Sequence, residues 1–241
     1  MIQIVPVEGL PEITAGMDLA ELVAESHELE NDDVVVIAQK AVSKAEGRVV
    51  RLDDVDPSPF ASQLAGDDGD ARQLEVILRE AKRILRARQS FVIAETRQGF
   101  ICASAGVDAS NTPGDGTVVL LPEDADASAA RIRERLTELT GRRVGVIVSD
   151  SFGRPWRQGT IDVAIGVAGI PALLDLRGTH DARGYELRST QIAVADELAS
   201  AAELVMGKAS QIPVAVIRGL HLQGEGTAAD IPIPEDRDLF R

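Results

Sequence analysis

The run 149–159 holds the densest group of residues in this sequence that could do chemistry. It puts Asp150 between two serines, directly after an apolar run that is typical of a buried strand. A carboxylate beside a hydroxyl supplies hard oxygen ligands suited to Mg²⁺ or Mn²⁺. Arg154 and Arg157 follow, in a loop fixed by glycine and proline, and could offer paired N–H donors to phosphate or carboxylate oxygens. The alternative is a turn at a strand end with surface ion pairs, and spacing alone leaves both interpretations open.

A polar loop over 105–114 is the second candidate, and it also follows an apolar run. Asp108 and Asn111 stand three residues apart in it, and both side chains carry oxygen ligands of the kind that Mg²⁺ and Mn²⁺ prefer. Taken by itself, this composition favours a turn rich in Asp and Asn over a metal site.

Two lysines, Lys40 and Lys44, form the third candidate in an otherwise acidic chain. They come just after the apolar run 34–38, a position from which a side chain could contact phosphate. The alternative is two solvated lysines, which the spacing alone favours.

The common phosphate-binding and metal-binding motifs are missing from the sequence. The run 219–225 begins like a Walker loop but has Glu225 where the motif needs lysine, and a carboxylate there would repel phosphate. No GxGxxG follows a predicted strand, and no HExxH occurs. The lone cysteine, Cys102, excludes a disulfide within the chain and a cysteine-based zinc site.

Composition narrows the function classes further. The 241 residues include 25 Lys and Arg against 39 Asp and Glu, which gives a net charge of −14 and argues against binding a polyanion over a broad surface. Aromatic residues make up only 3%, so a platform that stacks nucleic-acid bases is not expected. The N-terminus resembles neither a signal peptide nor a membrane anchor. We therefore expect a cytoplasmic protein without nucleic-acid or membrane partners.

Short β-rich runs alternate with amphipathic stretches along the chain, which predicts an α+β fold of mixed sheets with packed helices. Asp18 is the expected N-cap of the first helix, and Gly141 is expected to end the third. A polar stretch, 53–69, is predicted to be a surface loop. Predicted helices cover 18–28, 73–88, 127–139 and 191–206; predicted strands cover 2–7, 34–38, 91–94, 100–103, 117–121, 144–148, 161–170 and 214–217.

Several blocks, in the same order along nearly the whole chain, resemble the coenzyme F420-0:L-glutamate ligase (γ-glutamyl ligase) family. They are more specific together than any one alone. The blocks are 6–12, 42–48, 105–108 with Ser110 and Asn111, 149–154 with Trp156 and Arg157, 194–197, 213–219 and 238–240.

The resemblance implies a GTP-dependent enzyme that adds L-glutamate, and further γ-linked glutamates in some cases, to coenzyme F420-0. The reaction would pass through an acyl phosphate and release GDP and phosphate. It also implies a homodimer and two divalent cations (Mg²⁺ or Mn²⁺). Residues 1–241 would form one domain with the fold of that family, and whether this domain consists of two intertwined subdomains stays open. A role for potassium is left open too. We expect no extra C-terminal flavin-reductase-like domain of the kind that some actinobacterial relatives carry.

The resemblance also assigns roles to positions of this sequence. Asp150, Lys44 and Arg154 are implied to be catalytic, and Asp108, Asp150 and Ser151 are implied to bind the metals. Gln39 stands where relatives often have serine, and Ser151 where many have threonine. The implied nucleotide contacts are Leu10, Pro11, Glu12, Ile13, Gln39, Lys44, Asn111, Gly224 and Gly226.

Two other functions compete with this interpretation. One is a different metal- and nucleotide-dependent ligase or kinase that activates a carboxylate for another acceptor. The other is a non-catalytic module that senses GTP and signals through its dimer. Two metal sites favour an enzyme, because sensing alone does not need them.

Overall fold

A computed structural model describes residues 1–222 and 224–239. In chain order its elements are β1 (Gln3–Pro6), α1 (Leu19–Ser26), β2 (Val34–Ala38), α2 (Gln39–Ala45), β3 (Val49–Arg51), α3 (Pro59–Ala65), α4 (Ala71–Glu80), β4 (Ala81–Arg88), β5 (Phe91–Thr96), β6 (Ile101–Ala103), β7 (Thr117–Val119), α5 (Ala125–Thr140), β8 (Gly145–Arg154), β9 (Arg157–Ala168), β10 (Leu174–Asp175), β11 (Gln191–Ile192), α6 (Val194–Met206) and β12 (Val214–Arg218). Short 3-10 turns cover Leu52–Asp54, Ser104–Gly106, Ala228–Asp230 and Glu235–Arg237.

A five-stranded sheet in the order β1-β12-β2-β8-β9 forms the centre of the molecule. Its strands pair antiparallel except β2 and β8, which run parallel. Both faces of β2 are buried, which explains its unbroken apolar run. Helices α1 and α5 cover one face and α6 covers the other, so an apolar core lies on each side.

A second group of elements has its own apolar core. It combines helices α3 and α4 with the three-stranded sheet β4-β5-β6 and the pair β3-β7. The mixture of several sheets with packed helices confirms the predicted α+β class. None of the helices in the described ranges is both long and apolar enough to cross a membrane.

Most predicted elements are confirmed, with shifted ends. Asp18 caps α1 by accepting hydrogen bonds from the backbone N–H groups of Ala20 and Glu21. Gly141 ends α5 in the left-handed conformation, as expected of a glycine that follows a helix.

The prediction of a surface loop over 53–69 was wrong, because part of this stretch is helix α3. Ser58 is the N-cap and accepts a hydrogen bond from the backbone N–H of Ala61, while Pro59 occupies the first helical position. That arrangement starts a helix even where apolar content is low.

The prediction of one helix over 73–88 was wrong in its second half. The helix α4 ends at Glu80, and residues 81–88 form strand β4, which pairs antiparallel with β5. Lys82 and Arg83 reach across this pair to the buried carboxylate of Glu95, at 2.8 and 2.6 Å. Pairing with β5 therefore overrides a local pattern that suits a helix.

The prediction that the strand ends near Val148 and that Arg154 and Arg157 lie in a loop was also wrong. Strand β8 continues through Asp150 to Arg154, and a tight turn at Pro155 and Trp156 leads into β9. The ladder pairs Ser151 with Asp162, and its register shifts between Val148 and Ser149.

Candidate functional site

The site lies at the edge of the sheet where the parallel strands β2 and β8 carry their polar residues. Ala38, the last residue of β2, pairs with Ser149 of β8. Beyond that point β2 leads directly into α2 with its two lysines, and β8 continues to Asp150. The carboxyl ends of parallel strands are where open α/β sheets bind their ligands.

Lys40 connects this edge to the loop that carries Asp108. Its Nζ lies 2.8 Å from Oδ2 of Asp108 and donates hydrogen bonds to the hydroxyl and the carbonyl oxygen of Ser110, at 2.7 and 3.0 Å. Burial opposes ionisation of Asp108, but the hydrogen bonds from Lys40 and Ser110 outweigh it, so the pKa of Asp108 is lowered. The loop is further anchored by backbone hydrogen bonds between Asp108 and Val119 in β7.

The surroundings of Asp150 disfavour a negative charge on its carboxyl group. Burial raises its pKa to about 7; a backbone hydrogen bond from Ser151 opposes the shift, and the negative charges of Asp162 and Asp108 add to it. Asp150 also contributes to raising the pKa of the buried Cys102 thiol in β6 to about 12, after burial itself. The predicted metal ligands Asp108 and Asp150 are therefore close enough for their charges to interact.

The third predicted metal ligand, Ser151, lies on the other face of β8. Successive side chains of a strand point to opposite faces, so Asp150 lies on the α5 side with Phe152, and Ser151 lies on the α6 side. There the hydroxyl of Ser151 donates to Oδ1 of Asp162, at 2.7 Å. The structure thus divides the predicted metal ligands between two faces of one strand.

The second lysine, Lys44, contacts the segment predicted to bind nucleotide. Its Nζ lies 2.6 Å from the carboxylate of Glu12, whose side chain is 70% exposed. Ile13 is buried in the core, and Leu10 packs against it. Pro11 lies exposed between them, so 10–13 is a surface segment held by its apolar neighbours.

Two other predicted nucleotide contacts have internal partners. Gln39 is buried, and its amide donates to the hydroxyl of Ser43 and to the carbonyl oxygen of Leu120, at 2.7 and 2.8 Å. A nucleotide contact at this position would therefore use the backbone. Asn111 lies in the Asp108 loop with φ +53° and donates to the carbonyl oxygen of Lys208, at 3.3 Å.

Three predicted site residues lie away from the Asp108–Asp150 pair. Arg154 is at the far end of β8, roughly 13 Å along the strand from Asp150. Its Nε is buried without a hydrogen-bond partner among the described residues. Gly224 and Gly226 pack against Pro171 and Ala172, which follow the last residue of β9. That end of β9 pairs with the beginning of β8, whereas Asp150 lies further along β8. Glu225, between the two glycines, accepts a hydrogen bond from the backbone of Gly169.

The donor chemistry at Asp108 and Asp150 fits a magnesium-type cation held jointly by protein and phosphate oxygens. Such ions keep several waters and commonly bind one or two carboxylates together with substrate phosphates. A cation held by the protein alone does not fit, because within the described residues no three Asp, Glu, His or Cys side chains come together to hold one. Two surface hollows, of about 390 and 290 Å³, are lined by residues other than these.

Asp162 is the residue of this region for which sequence reasoning found no role. It is 4% exposed, and its carboxylate accepts from the hydroxyls of both Ser149 and Ser151. The available signal was a carboxylate inside the apolar run 161–170, because buried carboxylates are rare unless paired.

Comparison with known proteins gives a consistent result. The profile of one protein family, described as F420-0:Gamma-glutamyl ligase, matches residues 9–219. The coenzyme F420:L-glutamate ligase of Methanopyrus kandleri is 50% identical over 247 residues, covering 100% of this chain and 98% of that protein. The proteins of the same name from Methanocaldococcus jannaschii (46%, covering 93% and 90%) and Methanothermobacter thermautotrophicus (43%, covering 100% and 99%) are similar as well. This chain therefore belongs to the F420-0:gamma-glutamyl ligase family and is an enzyme of the ligase class, which forms carbon–nitrogen bonds.

Proposed function

We propose that this chain is a GTP-dependent ligase that joins L-glutamate to coenzyme F420-0 in coenzyme F420 biosynthesis. The acceptor and the amino acid come from the names of the family and of its relatives. The observation that carries the proposal is the excess of negative charge at Asp150 and Asp108, beside Lys40, at the ligand-binding edge of β2 and β8. Such a site suits a cation shared with phosphate.

The chemistry must overcome the low reactivity of a carboxylate toward an amine. Transfer of the γ-phosphoryl group from GTP to a carboxylate oxygen of the coenzyme gives an acyl phosphate and GDP. The nitrogen of glutamate then attacks the acyl carbon, the bond from that carbon to the phosphate oxygen breaks, and inorganic phosphate leaves. The amine loses one proton to solvent, and an amide bond remains. Positioning and charge stabilisation are sufficient for these steps, without a covalent bond to the enzyme.

The residues of the chain would reduce repulsion between anionic reactants. Lys44 can release the exposed Glu12 and turn its ammonium toward phosphate. The resemblance assigns the same task to Arg154, which would act from the far end of β8, roughly 13 Å along the strand from Asp150. Asp108 and Asp150 would hold one divalent cation on the α5 side of β8, and Ser151 would hold a second on the α6 side; both would supply charge neutralisation on the phosphate oxygens when bound. A homodimer, a cytoplasmic location and a contribution from potassium belong to the same proposal.

The decisive experiment combines the purified chain with GTP, Mn²⁺, L-glutamate and coenzyme F420-0. We expect GDP release that requires both L-glutamate and coenzyme F420-0, and a product whose mass shows how many glutamyl units were added. GDP release without either acceptor would indicate another activity, and tight GTP binding without turnover would indicate a sensor. Replacing GTP with ATP, or potassium with lithium, tests the nucleotide and the monovalent ion separately.

A labelling experiment tests the acyl phosphate. If the carboxylate of the coenzyme carries ¹⁸O, one labelled oxygen should appear in the released phosphate, because the bond from carbon to that oxygen breaks in the second step. Phosphate without label would contradict this route even if the ligated product forms. Light scattering of the same preparation tests the homodimer.

A further inference from the structure

The carboxylate of Asp162 is built into the α6 side of the central sheet. Both of its oxygens are used, since Oδ1 accepts from the hydroxyl of Ser151 at 2.7 Å and Oδ2 accepts from that of Ser149 at 3.0 Å. Its backbone carbonyl accepts a third hydrogen bond, from Ser200 of α6 at 2.7 Å. The side chain is thus held in one orientation by β8, and α6 fixes the backbone of the same residue.

This arrangement fixes the polarity of the Ser151 hydroxyl. A serine hydroxyl has one hydrogen to donate and two lone pairs that accept. Because the hydrogen is given to Asp162, only the lone pairs remain for a ligand. In this state the hydroxyl can coordinate a cation, whereas it cannot donate to a phosphate oxygen. Ser149 makes the same bond but is fully buried, whereas Ser151 is partly exposed.

We infer that Asp162 is a positioning residue, which orients Ser151 so that its lone pairs bind the second of the two proposed divalent cations, on the α6 face of β8 and separate from the cation at Asp108 and Asp150. The inference rests on the proposed function, because it takes Ser151 as a metal ligand. Groups that orient a metal ligand from behind it change metal affinity by about 10–100-fold when they are removed.

The substitution Asp162→Asn tests the inference without changing the size of the side chain. Asparagine offers one accepting oxygen and one donating amide, so the two serines can no longer both donate to it. The probe is Mn²⁺ added to the full chain with GTP and without acceptors, with free Mn²⁺ followed by electron paramagnetic resonance. We expect the dissociation constant for Mn²⁺ to rise at least about 10-fold. The matched control is Asp196→Asn, which keeps the oxygen that accepts from Ala164 on the same face, and which should bind Mn²⁺ like the wild type.

A double-mutant cycle separates positioning from a merely structural role. If Asp162 acts through Ser151, then Ser151→Ala should weaken Mn²⁺ binding, and adding Asp162→Asn to that variant should weaken it no further. The variants Ser151→Thr and Ser149→Ala should bind Mn²⁺ like the wild type. Additive losses, or wild-type affinity in Asp162→Asn, would overturn the inference. If Asp162→Asn does not fold, Asp162→Glu, which displaces the carboxylate, takes its place in the cycle with the same expectation.

The outcomes also distinguish this inference from the proposed function. Mn²⁺ binding that depends on Asp162 through Ser151, in a protein that makes no glutamylated product, would support the role of Asp162 and contradict the ligase proposal. Glutamylation by the wild type together with unchanged Mn²⁺ affinity in Asp162→Asn would do the reverse. Absence of Mn²⁺ binding to the wild type in the presence of GTP would overturn the inference.

Discussion

Each end of the parallel pair β2 and β8 carries a carboxylate, fully buried at Asp33 and partly buried at Asp150, but only the Asp33 end is neutralised. At the beginning of β2, Asp33 accepts from Nε and Nη2 of Arg218, at 2.8 and 2.7 Å, and from the backbone N–H of Glu30, at 2.8 Å. Its own carbonyl oxygen accepts from Gly145, where β8 begins. This is a bidentate ion pair in which the carboxylate has its hydrogen bonds satisfied.

At the opposite end, Asp150 lies between like charges. Lys40, whose charge lowers the pKa of Asp150, forms its ion pair with Asp108, and Asp150 itself has no ion pair among the described residues. A carboxylate that is satisfied inside the protein stabilises the fold, whereas one whose charge is left unbalanced favours a cation from outside. The comparison therefore assigns structure to the Asp33 end and chemistry to the Asp150 end.

The largest effect that would sharpen this comparison is expected from Asp150→Asn. This change keeps the shape of the side chain but removes the charge that would attract a cation, so ligation should fall at least about 1,000-fold. The measurement is the rate of glutamylated product formation, with circular dichroism confirming an unchanged fold. Turnover at the wild-type rate would refute the role given to Asp150.

The converse substitution, Asp33→Asn, should lower stability instead. Removing one partner of a buried ion pair leaves the other uncompensated, and since Arg218 is 28% exposed we expect a loss of about 3 kcal/mol in the free energy of unfolding, measured in urea. The neighbouring Asp32→Asn is the control, because its partners Arg143 and His221 are exposed and the loss there should be clearly smaller than at Asp33. Equal losses at both positions would remove the contrast between the two ends.

The lysines and carboxylates at the Asp150 end could be predicted because they follow local patterns. An apolar run that ends at Ala38, and another that ends at Val148, each lead into polar residues, and parallel strands bring such ends to one edge. The role of Asp162 could not be predicted in the same way, because its contact with Ser151 depends on the register of β8 and β9. A slip of one residue would place Asp162 on the other face of the sheet.

The wrong predictions of secondary structure over 53–69 and 81–88 have different physical origins. Ser58 and Pro59 carry a helix-start signal for α3 in the sequence itself, but the low apolar content around them hides it. No such signal exists for the change from α4 to β4, because apolar residues keep a helical spacing through Leu85 and no glycine or proline interrupts it. Only the pairing of β4 with β5, a contact distant in sequence, decides that residues 81–88 are extended.

The pH dependence of stability tests the unbalanced charge at the Asp150 end. The folded pKa of Asp150, about 7, lies above its unfolded value of 3.8, so the folded chain binds the proton more tightly and loses stability as pH rises from about 4 to 7. In the metal-free protein, the difference in free energy of unfolding between wild type and Asp150→Asn should fall by roughly 3 kcal/mol over this range. Asp175→Asn is the control, because Arg177 holds the pKa of Asp175 at about 2, below the window. A flat difference for Asp150→Asn would contradict its unbalanced charge.

The smallest effect is expected at Lys44, beside the Asp150 end. Lys44 already has a partner in Glu12, so replacing it with alanine removes one charge-assisted contact to GTP rather than the cation site, and GTP binding should weaken by about 1–2 kcal/mol. Calorimetric titration of GTP into Lys44→Ala measures this loss.

The matched control is Arg131→Ala. Arg131 is a cation that also contacts a carboxylate, Glu46, but it stands on α5 outside the candidate site. The GTP affinity of this variant should be that of the wild type. An unchanged dissociation constant for GTP in Lys44→Ala would mean that Lys44 does not contact GTP, and would leave Lys40 and the carboxylates as the proposed contacts at the Asp150 end. An equal loss in both variants would mean that GTP responds to the net charge of the chain and not to this edge of the sheet.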